Sequence, residues 1–302
     1  MFDSRATGKW WDKGLNLVEG CTKVSPGCEH CWSLTAANMR RFNPNPKIAA
    51  RYKNTVQYGR TSLDRTDSKS HFQGPAEWTG QVNPQWPDLD KIGRSRTPKC
   101  YTFWNDLFHP GVPEEFIDQV LLRIQQRAQH FYIICTKRPE RALKIFTEGH
   151  VSPDAKKIWK LMLMTTAENQ YWADIRIPQL LQIPGVLHGV NLEPLLAPIS
   201  FRWAKWQEIK EGLNDEFDGL RHLDWVIAGG ETGPRARPSH PDWFRSVRDQ
   251  CQAAGVPFFF KGWGVWGAYT PEDEGDDHLL IRVGKKTAGR RLDGRTWDET
   301  PL

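Results

Sequence analysis

A short β-rich run that ends in charged or amide residues, followed by a helical segment, recurs along most of this 302-residue chain. The runs are Leu15–Glu19, Lys99–Trp104, Phe131–Cys135, Lys160–Thr165, Val186–Asn191, Trp225–Ala228 and Pro257–Phe260. The intervening segments carry a helical period. In 113–129, Phe116, Val120, Leu121 and Ile124 share one face, Pro113 suits the first turn, and Glu114 and Glu115 meet the positive end of the helix dipole. In 240–255, Phe244, Val247, Cys251 and Ala254 repeat the pattern, with Pro241 at the start and Gly255 as a stop. Such alternation builds parallel βαβ units. The expected fold is α/β: a partial or full TIM-like (β/α) barrel of about seven parallel strands, with an open doubly wound sheet as the alternative.

Two regions break the pattern. Residues 43–97 are polar, rich in Pro, Gly, Arg and Trp, and too long for an ordinary connection after the first helix. They are expected to form a lid-like insertion or a plain surface one. The tail, 282–302, is strongly basic through Arg291 and has Asp293-Gly294 between short runs, which predicts a hairpin turn. The whole of 1–302 is expected to be one domain. The net charge of +5 and the pI near 8.8 allow a polyanionic partner without requiring one. No apolar stretch follows the first charges and no run of 18 apolar residues occurs, so a cytoplasmic protein without a membrane partner is expected.

Three of the six cysteines fall within eleven residues, in Cys21-Thr-Lys-Val-Ser-Pro-Gly-Cys28-Glu-His-Cys31. Without an export signal, a tight cysteine group points to metal or redox chemistry. Cys21 lies just past the first expected strand, at the rim where α/β folds build their sites, and Pro26-Gly27 turns Cys28 and Cys31 back toward it. Structural zinc and electron-carrying iron–sulfur centres want four ligands. Cys100, Cys135 and Cys251 sit in apolar runs and read as small core residues. Three thiolates leave one position open, on which a four-iron cluster can bind a cosubstrate. The alternative is a structural zinc completed by His30 or a distant histidine.

These residues carry a resemblance. The stretch GCTKVSPGCEHCW is similar to one found in three-Cys-motif proteins of phages and bacteria, an uncharacterised radical-SAM-like family. The likeness extends to FWNDLFH (103–109), CTKRPER (135–141), NLEPLL (191–196), IAGGETGPRARPSHPDW (227–243), FFFKGWG (258–264) and GKKTAGRRLDGRTWDE (284–299). The resemblance implies a [4Fe–4S] cluster on Cys21, Cys28 and Cys31. It also implies S-adenosylmethionine (SAM) on the fourth iron, a 5′-deoxyadenosyl radical, and a reductant protein as partner. It leaves room for a separate partner protein that completes the site.

The same strand-end rule puts Asn105 and Asp106, Lys137 and Arg138, Glu168 and Asn169, Glu193, Gly229-Gly230-Glu231, and Lys261 with Trp263 on one rim. Singly, each reads as a cap or surface ion pair. Together they suit cosubstrate binding and proton transfer. Gly229-Gly230-Glu231 resembles the GGE that holds the SAM amino group in radical-SAM enzymes, although there it follows the second strand. Asn105 and Asp106 are rivals for that group, and Lys137, Glu193 and Lys261 are candidates for substrate binding or catalysis. Lys137, Arg138, Arg141, Arg235 and Arg237 suit phosphate, with Trp263 and Trp266 available to stack a base, so a nucleic acid or nucleotide is the expected substrate class. Two rivals are a zinc- or cluster-containing binding protein without radical chemistry, and a metal-independent enzyme using Glu193 and Lys261 for acid–base work.

Overall fold

A computed structural model of the protein describes residues 8–59, 74–148, 160–201, 219–268 and 280–301. Its centre is a seven-stranded parallel sheet in strict sequence order, curled into a half-barrel: β1 (Lys13–Leu15), β2 (Cys100–Phe103), β3 (Phe131–Thr136), β4 (Leu161–Thr166), β5 (Leu187–Leu192), β6 (Trp225–Gly229) and β7 (Phe258–Gly262). Among the described residues, β1 and β7 do not pair with each other. The α/β barrel-like expectation is met in its partial form.

The first strand differs from the expected Leu15–Glu19. Lys13–Leu15 pairs with Tyr101–Phe103, whereas Val18–Glu19 leaves the sheet and pairs antiparallel with Asn83–Pro84. The break falls at Asn16, whose side-chain amide bonds the Glu19 carboxylate and the Tyr52 hydroxyl. A local polar anchor thus stops an apolar run that would otherwise continue the strand.

Strand pleating splits the core in two. On the convex face, Tyr101, Phe103, Tyr132, Ile134, Leu163, Val190, Val226 and Phe260 pack against the helices. These are α3 (Glu114–Gln126), α4 (Pro139–Thr147), α5 (Gln170–Leu181) and α6 (Pro241–Ala254), whereas Leu34 and Ala37 of α1 (Trp32–Arg40) pack in a separate cluster with Val56 and with Tyr52, which follows α2 (Pro46–Arg51), and α7 (Lys285–Ala288) lies in the tail. α3 buries Phe116, Val120, Leu121 and Ile124, as its periodicity predicts, and Ile117 as well. α6 ends at Gly255 in the left-handed region, φ 72°. On the concave face, Trp10, Ile133, Met162, Met164, Trp225, Ile227 and Phe259 form a separate layer. That layer plugs one end of the half-barrel and leaves the strands' C-terminal end open.

The 43–97 insertion has structure of its own in its described part. It holds α2, a strand pair between Val56–Gln57 and Glu77–Trp78, and the pairing to Val18–Glu19. In the tail, Leu292 and Arg295 bridge across Asp293 and Gly294, both at positive φ, as a two-residue hairpin turn requires. Beyond it, Asp298 bridges to Phe259, the Phe260 amide donates to the Trp297 carbonyl and the Glu299 amide to the Phe258 carbonyl. The tail thereby covers the outer edge of β7, which would otherwise expose unpaired backbone groups. Among the described residues, no helix is long and apolar enough to cross a membrane.

Phe260 is fully buried and Leu122 lies on the exposed face of α3. Phe260→Ala is expected to cost about 3–5 kcal/mol and Leu122→Ala to stay within about 0.5 kcal/mol. Urea unfolding followed by circular dichroism measures both, and comparable losses would contradict this packing.

Candidate functional site

The open end of the half-barrel holds a cavity of about 460 Å³. Cys21, Cys28 and Cys31 all line it. Pro26–Cys28 is a single tight turn in which the Cys28 amide bonds the Ser25 carbonyl, and Cys31 is the N-cap residue of α1. That position is one where unsatisfied helix amides favour negative charge.

Three strand-end carboxylates fix this cysteine loop. After β2, buried Asp106 pairs with Arg138 at 2.6 Å, and Arg138 donates onward to the Thr22 hydroxyl at 2.5 Å and carbonyl at 3.3 Å. After β4, fully buried Glu168 accepts the Gly27 amide at 3.0 Å and pairs with Arg176 at 3.2 Å. After β6, buried Glu231 accepts three donors from Arg237, which reaches the Pro26 carbonyl at 3.0 Å and Glu29 at 2.9 Å. Asn105, held at φ 63°, adds a fourth tie: its amide donates to the Val18 carbonyl at 2.6 Å and its carbonyl accepts the Ser33 hydroxyl.

His109 completes the Thr22 end. Its Nδ1 accepts the Gly111 amide at 3.1 Å, so the neutral ring carries its proton on Nε2 and donates it to the Thr22 hydroxyl, 3.1 Å away. Burial, reinforced by the Arg138 charge, pulls the imidazole down to about 4.

Of the residues named from the strand ends, Asn105, Asp106, Lys137, Arg138, Glu193, Gly230, Glu231 and Lys261 line the cavity, Asn169 instead caps α5, and the structure divides the work of the rest. Asn105, Asp106 and Glu231, expected as cofactor ligands, have their polar atoms engaged by protein. Asp106 alone accepts from Phe108, Thr136, Lys137 and Arg138. Gly230 lines the cavity and Gly229 does not. A Cβ on Gly230 would sit 2.1 Å from the Trp263 carbonyl oxygen, so this glycine is needed for close backbone packing. Lys137, Glu193 and Lys261 all line the cavity, and Lys261 pairs with Glu193 and lies 5.8 Å from the Trp11 ring centre. Of the expected phosphate ligands, Arg138 and Arg237 are taken by carboxylates, and Arg141 donates to the His109 and Val112 carbonyls.

Two readings need correction. Trp263 packs on Phe244 and Phe260 in the convex core, and the Trp266 indole donates to the Ala236 carbonyl, so neither ring is placed to stack a ligand in the cavity. The indoles that do line it are Trp10, Trp11, Trp32, Trp78 and Trp104. Trp104 was within reach of the strand-end rule; Trp10 and Trp11 precede the sheet and carried no such signal. Cys135 lies on the cavity wall, where burial pushes its thiol up to about 12, while Cys100 and Cys251 are buried core residues as expected.

The donor set bears on what the cysteines can hold. Among the described residues, no three His, Cys, Asp or Glu side chains converge as ligands of one metal ion. Zinc requires ligands within about 2.0–2.3 Å of a single point. A four-iron cluster meets each thiolate at a different iron, and here Cys21, Cys28 and Cys31 line one cavity. Burial, with the Asp106 charge adding to it, pushes the Cys21 thiol up to about 12, so a metal bound there would displace a proton. Thiols are the donor type that an iron–sulfur cluster takes.

Comparison with known proteins gives one family match, to a model described as "Protein of unknown function (DUF5131)", over residues 5–301. No curated protein and no solved structure matches the chain.

Glu168→Gln removes the partner of a buried guanidinium and is expected to cost about 3–5 kcal/mol by chemical denaturation; a loss below 1 kcal/mol would mean that the clamp is not a structural element. His109 is held neutral where an unfolded histidine would protonate, so its contribution falls as pH drops from about 6.5 to about 4. The stability difference between wild type and His109→Asn should therefore shrink across that window, and a pH-independent difference would contradict the buried neutral ring.

Proposed function

The chain belongs to the family described as DUF5131, and from its site we propose a radical S-adenosylmethionine-type [4Fe–4S] enzyme that generates a 5′-deoxyadenosyl radical to modify or repair a nucleic-acid component. The observation that carries this reading is the cysteine loop: three thiols face one cavity, without a fourth protein ligand among the described residues, and buried carboxylates fix the loop that bears them. A cluster held by Cys21, Cys28 and Cys31 would supply the electron that cleaves SAM reductively.

The remaining roles belong to the chain. Cys21, Cys28 and Cys31 hold the cluster, while Asn105, Asp106, Glu168 and Glu231 hold the loop. Five indoles give the cavity an apolar lining around any reactive species formed there. Gly230 and the Thr22 hydroxyl line the same space and are the candidate contacts for the cosubstrate's polar end. Glu193 and Lys261 form an ion pair facing the cavity, a place to hold a proton at Lys261 Nζ for delivery to substrate. Lys137 is available for a substrate anion. A reductant protein is the implied partner.

Anaerobic reconstitution followed by dithionite reduction tests the reading. About four irons per chain and SAM-dependent 5′-deoxyadenosine are expected, with both lost in Cys28→Ala. Stoichiometric zinc in place of iron, or a fully loaded cluster that leaves SAM intact, would overturn it.

A further inference from the structure

We propose that the inner end of the cavity binds a single nucleotide unit, its base against the tryptophan wall and within reach of the Asn191 amide, and its phosphate on the Lys137 ammonium. This names the substrate class of the radical reading and rests on it for what becomes of the ligand, though not for binding itself.

Strand pleating sets two levels on the concave face. The lower is apolar, with Ile133, Met164 and Ile227 in the closed layer. Two residues further along their strands, or level with them on neighbours, Thr102, Cys135, Thr166, Asn191 and Lys261 line the cavity floor. Asn191 is 9% exposed, and its Oδ1 has no hydrogen-bond partner. The indole nitrogen of Trp10, at the same cavity, is also buried and unpaired. A buried polar atom without a partner is costly, and its retention points to a group that arrives with a ligand. A carboxamide offers one donor and one acceptor side by side, the pattern that complements the edge of a base.

The cations separate in the same way. Arg138 and Lys261 line the cavity paired with Asp106 and Glu193. Lys137 and Lys285 also line it, and no described carboxylate pairs with either. Lys137 stands directly after β3, two residues beyond Cys135, and lines the same cavity as Asn191. Indole side chains, an amide and a cation without a carboxylate partner together match a base, its edge and its phosphate. The cavity volume suits one small ligand and excludes a double helix. The unit must enter alone, either as a free nucleotide or as an unpaired residue of a single strand.

Calorimetric titration tests this on the full chain, both reconstituted anaerobically and purified in air. The probes are the nucleoside monophosphates, their nucleosides, ribose 5-phosphate, a short single-stranded oligonucleotide and its duplex. At least one monophosphate or the single strand should bind, about tenfold tighter than the matching nucleoside or the duplex. Lys137→Met should erase the preference for nucleotide over nucleoside, and Asn191→Ala the preference among bases. If the alanine variant fails to fold, the isosteric Asn191→Asp makes the same test. Tighter binding of the monophosphate assigns the site to free nucleotides, and tighter binding of the single strand assigns it to a polymer. No saturable binding of any nucleotide, binding indifferent to both substitutions, or preference for duplex would overturn the proposal. Nucleotide binding without SAM cleavage would leave this site standing and remove the radical reading, and cleavage without nucleotide binding would do the reverse.

Discussion

The cysteine loop has almost no regular structure of its own, and what fixes it is a set of buried carboxylates reaching it from beneath. Asp106, Glu168 and Glu231 stand after β2, β4 and β6, and they hold the loop at Thr22, Gly27 and Pro26–Glu29 through Arg138, directly, and through Arg237. Each carboxylate is buried beside an arginine. Removing one partner of such a pair leaves an uncompensated charge, a cost of about 3–5 kcal/mol. The loop therefore cannot shift without breaking interactions that the barrel rim cannot replace. Its thiols are thereby held in place, the kind of preorganisation that a functional site requires.

The intervening strands do different work. β3, β5 and β7 present Lys137, Glu193 and Lys261 to the cavity. Alternate strands of a barrel contribute to alternate layers of its interior. Here one set of strand ends anchors the loop and the other faces the space beneath it. The closed apolar layer of Ile133, Met162, Met164 and Trp225 supports both sets by giving the sheet a rigid inner face.

The sequence made the fold and the rim legible for one reason: strand runs that end in charge are a local pattern. Asn105, Lys137, Glu193, Glu231 and Lys261 follow from it without knowledge of any contact. Pairing does not. Asp106 and Arg138 are 32 residues apart and Glu168 and Gly27 are 141 apart, so only the folded chain reveals that these acids bind protein. Asn191 closes its expected run but was not among the candidates, since the strand continues to Leu192 and the strand-end rule pointed past it to Glu193, and Trp10 and Trp11 stood before the first strand. Trp263 misled because its neighbours in sequence are at the rim while its ring turns into the convex core. The first strand was misread for a similar reason, since Asn16 breaks it through a side-chain hydrogen bond that no periodicity encodes.

The central claim is that three clamped thiols hold a cluster with one iron left open to a small molecule. Mössbauer spectroscopy of the protein reconstituted with ⁵⁷Fe, recorded with and without SAM, addresses that iron directly. The account predicts that SAM shifts the signal of a single iron of the cluster and leaves the others unchanged. A spectrum indifferent to SAM, or a protein that takes up no cluster while its cysteines remain reduced, would contradict it.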